Sequence, residues 1–406
     1  MNQMDNKILK TDEFNFELSE DRIPKYPLEK RDQSKLLVYD QNGLSDRRFS
    51  DIVDLLNAGD RLVVNNTKVI KARLYFKKPS GKIFEVFCLE PSNGRDPAIA
   101  LSSKSFSEWN CLVKGSKKWG DDDLDLVVER DSKESIHVKA HKVGRTIDGL
   151  CIRFSWNNDD YCFANILSFA GAIPIPPYLN RQADESDEHR YQTVYAAFQG
   201  SVAAPTAGLH FTPEIMSTLR EKGVNITELT LHVGAGTFRP VKDEFITSHE
   251  MHEELISVPL NAISELIQTK GRIIPVGTTS MRTLESLYSM AYALYSGTED
   301  WKNVGQWDYE RSKEPIERSK LLEILKSELL NTGENQLQGK TGIMIVPGYN
   351  FKMCDALITN FHQPKSTLIM LVAAFVGEEW KSIYNHALKN DYRFLSYGDS
   401  SFLVGK

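Results

Sequence analysis

The chain has no C-x-x-C pair, and its five cysteines, at positions 88, 111, 151, 162 and 354, are odd in number and far apart. That spacing excludes a zinc knuckle and a disulfide framework. It reads as a reduced, cytoplasmic protein whose cysteines fill small apolar sites. No apolar run approaches about 18 residues, so no membrane-spanning helix is expected. The polar opening "MNQMDNKILKTDEF" carries no apolar signal region. Surplus positive charge is missing too. The formal net charge is −6, which excludes a general pull toward nucleic acid and leaves such binding to a local basic surface. Low-complexity tracts and repeats are absent. Two site patterns are incomplete. "HVGAGTF" has a G-x-G after a strand but no third glycine or downstream acid to complete a dinucleotide fingerprint. "SHEMHEE" offers His249, His252 and Glu253, with an H-x-x-H spacing that would set two imidazoles on one helical face. It lacks the H-E-x-x-H frame and a third ligand, so no metal is expected.

What is present fits two domains. The 406 residues are 41% hydrophobic and 26% charged, ordinary values for a globular chain of this length. "SKLLVYDQNGLSDRRF" predicts a hairpin at Asn42-Gly43, Ser50 a cap for a short helix ending at Gly59, and "RLVVNN" a buried strand. From about Ala72 to Asn157, short β-like runs such as "KIFEVFCL" and "SIHVKAHKV" alternate with turns and show no helical period, which predicts a barrel. Strand-helix patterns flank this region on both sides. In "TPEIMSTLREKG", Thr212 caps, Pro213 takes the first helical position and Gly223 stops the helix. "GRIIPVGTTSMRTLESLYSMAYAL" and "DALITNFHQPKSTLIMLVAAFVG" each read as strand, polar turn and helix. The fold class expected is an α/β domain (1–72 and 158–406) with an inserted small all-β barrel domain (73–157). A polar insertion, 297–340, carries a helix in "RSKLLEILKSELLNTG".

Polar side chains collect where strands meet helices, at the carboxyl ends where ligands of α/β sheets bind. His232 ends one strand. Thr278, Thr279 and Ser280 fill the next turn, with Arg282 and Glu285 just beyond. Asn360, His362, Lys365 and Ser366 fill the last, with Ser366 or Thr367 as cap, and His210 stands at a helix entrance. "SVAAPTAGLHFT" is dominated by Ala and Gly, either as a wall that lets backbone approach a flat ligand, with Thr206 its polar member, or as tight packing. "RLVVNNTKVIKARLYFKKPSGK" carries Arg61, Lys68, Lys71, Arg73, Lys77, Lys78 and Lys82 without an acid, a candidate phosphate-contacting strip. "RYQTVYA" sets Arg190, Tyr191, Gln192 and Thr193 together, types that stack on a base and read its edge.

These blocks, with "LHVGAGTFRPV", "GTTSMRTLES", "NFHQPKSTLIMLVAAF", "YRFLSYGDS" and the N-terminal "RIPKYPLEKRDQSKLLV", closely resemble the S-adenosylmethionine:tRNA ribosyltransferase-isomerase family over nearly the whole chain. The chain departs from the family's pattern at Lys71, where proline is usual, and at Gln363, where leucine is usual. The resemblance implies a cytoplasmic transferase of queuosine biosynthesis. Its co-substrate would be S-adenosylmethionine, with no prosthetic group, metal or membrane involved. Its acceptor would be tRNA carrying 7-aminomethyl-7-deazaguanine at the wobble position, and its products epoxyqueuosine-tRNA, adenine and methionine. Such chemistry needs a group titrating near neutrality. His210, His232 and His362 are the catalytic candidates, in that order, with Glu253 and Glu285 in reserve. Arg190, Tyr191, Gln192, Thr193, Thr206, Thr278, Thr279, Ser280, Arg282, Glu285, Lys365 and Ser366 are the substrate-binding candidates. Lys68, Lys71, Arg73, Lys77 and Lys78 are the RNA-binding candidates. The rival expectations are a relative using a different acceptor, a non-catalytic tRNA- or nucleoside-binding protein, and a metal hydrolase built on His249, His252 and Glu253.

Overall fold

The computed structural model describes residues 9–129, 135–147, 149–234, 241–311 and 316–405. Arg61–Asn65 is buried along its whole length, as expected of a strand covered on both faces. It pairs in parallel with Ile273–Pro275 on one side and Asn225–Leu231 on the other. Beyond the latter, Glu254–Pro259, Gln336–Thr341 and Asn303–Val304 complete a six-stranded mixed sheet. A second sheet runs Ala356–Asn360, Ser400–Val404, Lys35–Asp40, Gly43–Arg48. A parallel bridge between Val276 and Ile358 joins the two edges. The helices Gly277–Tyr295 and Thr367–Val376 follow directly on neighbouring strands of this join. Their N-termini and the strand ends therefore open on one side.

Six antiparallel strands between Arg73 and Trp156 close a barrel. Alternation along Ser135–Arg145 sends Ile136, Val138 and Ala140 inward, the two-residue period of a strand with one covered face. Trp109, Trp119, Phe76, Phe84, Phe154 and Phe163 fill the interior. The strands before and after the barrel pair in one sheet, with Arg61 opposite Asn225. Among the described residues no helix is long and apolar enough to cross a membrane.

Several local expectations shift. The hairpin turns at Gln41-Asn42, because Asp40 already pairs with Gly43, which takes φ +95°. Ser50 lies inside a 3-10 turn, Phe49–Asp51, and the helix that follows is one turn, Ile52–Leu55. Residues 249–253 form no helix and lead into the strand Glu254–Pro259, so the H-x-x-H spacing shares no helical face. Arg61 is no member of a basic strip. Its guanidinium is buried, donating to Thr227 Oγ1 (2.6 Å) and Thr269 Oγ1 (2.5 Å) and pairing with Glu265 (3.2 Å). The stretch 297–340 carries the helix expected of it and packs that helix into the main core. Its helix Arg318–Thr332 buries Leu321, Leu322, Leu325 and Leu329 in the main core, and Gln336–Thr341 is a sheet strand.

Candidate functional site

Two neighbouring cavities, sharing part of their lining, open near the join of the sheets. The first is a recess of about 70 Å³. Its one side is Ala203, Ala204, Pro205, Thr206 and Ala207, and the other includes Gly277, Thr278, Thr279, Thr359, Asn360, His362, Gln363 and Ser366. The small residues of "SVAAPTAGLHFT" thus do both things the composition allows. Ala203 to Ala207 form the wall, while Gly208 packs where a Cβ would lie 2.0 Å from the Tyr195 hydroxyl. The helix Gly277–Tyr295 begins straight after Val276, with φ +87° at Gly277. Thr278, Thr279 and Ser280 therefore occupy its first turn and not a preceding loop. Among the described residues no side chain caps this end. By contrast Ser366 does cap its helix, accepting from Ile369 N at 3.3 Å.

The second cavity is a cleft of about 840 Å³ between the barrel and the main sheet. Pro91, Asn110 and Ile147 come from the barrel side, and His232, Glu254, Arg282 and Leu368 from the other. Thr278, Thr279, Val233 and Leu368 border both cavities. The recess alone is too small for a nucleoside, whereas the cleft lies in the range of small-molecule sites, about 300–1,000 Å³. Arg282 is nearly buried there. It pairs with Glu254 and donates from Nε to Ile343 O at 3.2 Å.

The three histidines are placed differently. His210 borders neither cavity. It packs at a tilt against Phe49 and sits behind Asn360, whose Oδ1 is 3.3 Å from its Nε2. The Asn360 amide nitrogen donates to Leu395 O at 2.8 Å, so the oxygen faces His210 and the proton lies on Nε2. Nδ1 then accepts from Ser34 Oγ at 2.8 Å. Burial pushes His210 down to about 4, with Asp399 opposing. His362 borders the recess, with Nε2 3.0 Å from Thr359 Oγ1, and burial pushes it to about 3. His232 borders the cleft, 3.2 Å from Thr67 Oγ1. Burial lowers it as well, and Asp96 pulls the other way. Its ring lies so close to Gly200 that a Cβ there would come within 2.7 Å. All three are shifted toward the neutral imidazole, because burial disfavours the charged form; His210 and His362 therefore do not titrate near neutrality as the resemblance led one to expect.

Over residues 11–403 the chain matches the family described as queuosine biosynthesis protein. It belongs to that family. Proteins named S-adenosylmethionine:tRNA ribosyltransferase-isomerase from Francisella tularensis subsp. tularensis and subsp. novicida are each 39% identical to it. Both alignments cover 97% of this chain and 100% of the relative. A solved structure from Thermotoga maritima, described as an S-adenosylmethionine tRNA ribosyltransferase, is 29% identical. That match covers 97% of this chain and 100% of that one, with a TM-score of 0.46.

In this queuosine-family chain several other candidates stand apart from the recess and the cleft. Glu285 is buried beneath the loop 349–354, where it accepts from Tyr349 OH, Lys352 N, Met353 N and Cys354 N at 2.9 to 3.2 Å. Burial still leaves its carboxyl above the ordinary range. Lys365 pairs with Asp12 at 2.5 Å. Arg190 donates to the Leu28 and Glu29 carbonyls, and Tyr191 is wholly buried. The Gln192 amide is taken up by Val69, donating to its carbonyl at 2.8 Å and accepting from its N–H at 3.1 Å. Thr193 borders a third cavity of about 490 Å³, together with Arg31, Lys68 and Lys71. Within the basic strip, Lys68 and Lys77 are exposed. Lys71, Arg73 and Lys78 have acidic partners in Glu188, Glu85 and Asp122. His249, His252 and Glu253 do border the cleft, but no three His, Cys, Asp or Glu among the described residues are grouped to hold a metal. The G-x-G segment lies partly outside the described residues, which stop at Gly234 and resume at 241. Sequence reasoning missed Glu254, Tyr178 and Ser396, which border the cavities. The block "YRFLSYGDS" contains Ser396 and could have marked it, but nothing local marks Glu254 as the partner of Arg282.

Proposed function

We propose that this protein transfers and isomerises the ribosyl part of S-adenosylmethionine onto 7-aminomethyl-7-deazaguanine at the wobble position of tRNA. The products would be epoxyqueuosine-tRNA, adenine and methionine, with no prosthetic group, in the cytoplasm. One observation carries the reading. Segments around 203–207, 232–233, 277–282 and 359–366, far apart in a queuosine-family chain, meet at two cavities that share Val233, Thr278, Thr279 and Leu368. The barrel, 73–157, is proposed as an inserted domain that closes the outer side of the cleft.

The sulfonium acidifies the adjoining ribose carbon, so a base there forms an ylide. Adenine leaves more readily once protonated, and the acceptor amine attacks in its neutral form. His232 and His362 border the cavities and are assigned proton transfer. His210 is assigned to position Asn360. Lys68, Lys71 and Thr193, around the third cavity, with Arg73, Lys77 and Lys78 on the barrel, are the proposed RNA contacts.

The test is adenine release. Protein is mixed with S-adenosylmethionine and tRNA bearing 7-aminomethyl-7-deazaguanine, with unmodified tRNA in parallel. Adenine from the modified tRNA alone is the expected result. His232→Ala and His362→Ala should each slow it about 100-fold or more. Release with neither tRNA, from folded protein that binds S-adenosylmethionine, overturns the acceptor. Binding of tRNA without turnover makes the chain a non-catalytic relative.

A further inference from the structure

Beside the cleft, two buried donors are left over. Among the described residues, the Thr279 hydroxyl and one terminal nitrogen of Arg282 have no hydrogen-bond partner. Both residues border the cleft and are more than nine-tenths buried. They lie on the first two turns of a 19-residue helix whose N-terminus no side chain among the described residues caps. A helix N-terminus attracts negative charge, and buried donors are ordinarily satisfied. The arrangement is therefore complete only with an acceptor, and an anionic one. Glu254 restricts which anion. It also borders the cleft, pairs with Arg282 and accepts from Gly234 N at 3.3 Å. Its charge offsets that of Arg282 and would repel a dianion such as phosphate. A group bearing a carboxylate and an ammonium side by side satisfies both: carboxylate to Thr279, Arg282 and the helix end, ammonium to Glu254.

We infer that Thr279, Arg282 and Glu254 form a subsite for an α-amino acid zwitterion, the methionyl end of S-adenosylmethionine. This rests on the proposed function, since that reading supplies a ligand with such an end. It adds an orientation, with the methionyl group anchored at the Gly277 helix.

The experiment compares two ligands on the full-length protein by calorimetry. S-Adenosylmethionine has the amino acid end, and 5′-methylthioadenosine lacks it. The probe variant is Thr279→Val, which removes the hydroxyl and keeps the shape. Because that hydroxyl is buried and unpaired, the variant should melt no lower than the unaltered protein. S-Adenosylmethionine should bind it about tenfold more weakly or worse, the worth of one hydrogen bond to a charged group. 5′-Methylthioadenosine should bind both proteins alike, and Thr279→Ser should restore the difference. Equal weakening of both ligands, or of neither, overturns the subsite. Loss of tRNA affinity in Thr279→Val, with S-adenosylmethionine unaffected, reassigns it to a phosphate. Failure of the unaltered protein to bind S-adenosylmethionine overturns the proposed function itself, a result separate from the first two.

Discussion

Replacing Glu285 with Gln separates a structural carboxylate from a catalytic one. Each Glu285 oxygen accepts two hydrogen bonds: Oε2 from Tyr349 OH (2.9 Å) and Lys352 N (3.0 Å), Oε1 from Met353 N (3.0 Å) and Cys354 N (3.2 Å). The site is buried, so water cannot substitute. An amide keeps one oxygen and turns an NH₂ group toward the other pair of donors. Two donors are then left unsatisfied, at about 1–3 kcal/mol each. Relief of the buried charge, which holds the carboxyl above its ordinary range, recovers part of that. The expected net loss is about 3 kcal/mol. Urea unfolding at neutral pH, followed by circular dichroism, reads it as a lower midpoint. Adenine release by the protein still folded should fall modestly, since the held loop leads into the strand Ala356–Asn360 and only indirectly into the site. Unchanged stability with abolished turnover would refute the reasoning and return Glu285 to the list of bases.

Two further outcomes are expected. His210 and His362 are pushed from 6.5 to about 4 and about 3. Lowered folded values mean that the stability they confer is complete above pH 6.5 and is lost as pH falls toward those values, by up to about 1.4 kcal/mol per pH unit per proton. His210→Gln should therefore show a flatter loss of urea midpoint between pH 6.5 and about 4; parallel curves would contradict the buried neutral imidazole. Leu325 is wholly buried in the main core although it belongs to the polar-looking 297–340 stretch. Leu325→Ala should cost about 2–5 kcal/mol, and an unchanged melting temperature would show that this helix does not contribute to the core.

Much of the site's outline was legible from residues alone. Thr212 and Ser366 cap their helices as their positions suggested, with bonds to Ile215 N and Ile369 N. The small-residue run borders the recess. The roles within that outline were less legible. Arg190, Gln192 and Glu285 have side chains suited to ligands, but their bonds go to backbone 161, 123 and 67 to 69 positions away. No spacing rule reports such partners. Likewise the seven cations from Arg61 to Lys82 looked alike in sequence, until folding buried Arg61 and set acids beside Lys71, Arg73 and Lys78.

The sequence by itself determined the caps at Thr212 and Ser366, the two-residue period of the barrel strands and the family blocks, because each depends on neighbours a few positions apart. Tertiary structure alone decided which polar groups reach the cavities and in which protonation state. His210 is held by Ser34, 176 positions away, and by Asn360, 150 away. Its neutrality follows from the desolvation that this packing imposes. Arg282 and Thr279 were conspicuous as residue types. That the Thr279 hydroxyl and one Arg282 terminal nitrogen end without a partner among the described residues, beside Glu254, follows from how the helix starting at Gly277 meets the strand starting at Glu254, a matter of packing between distant segments.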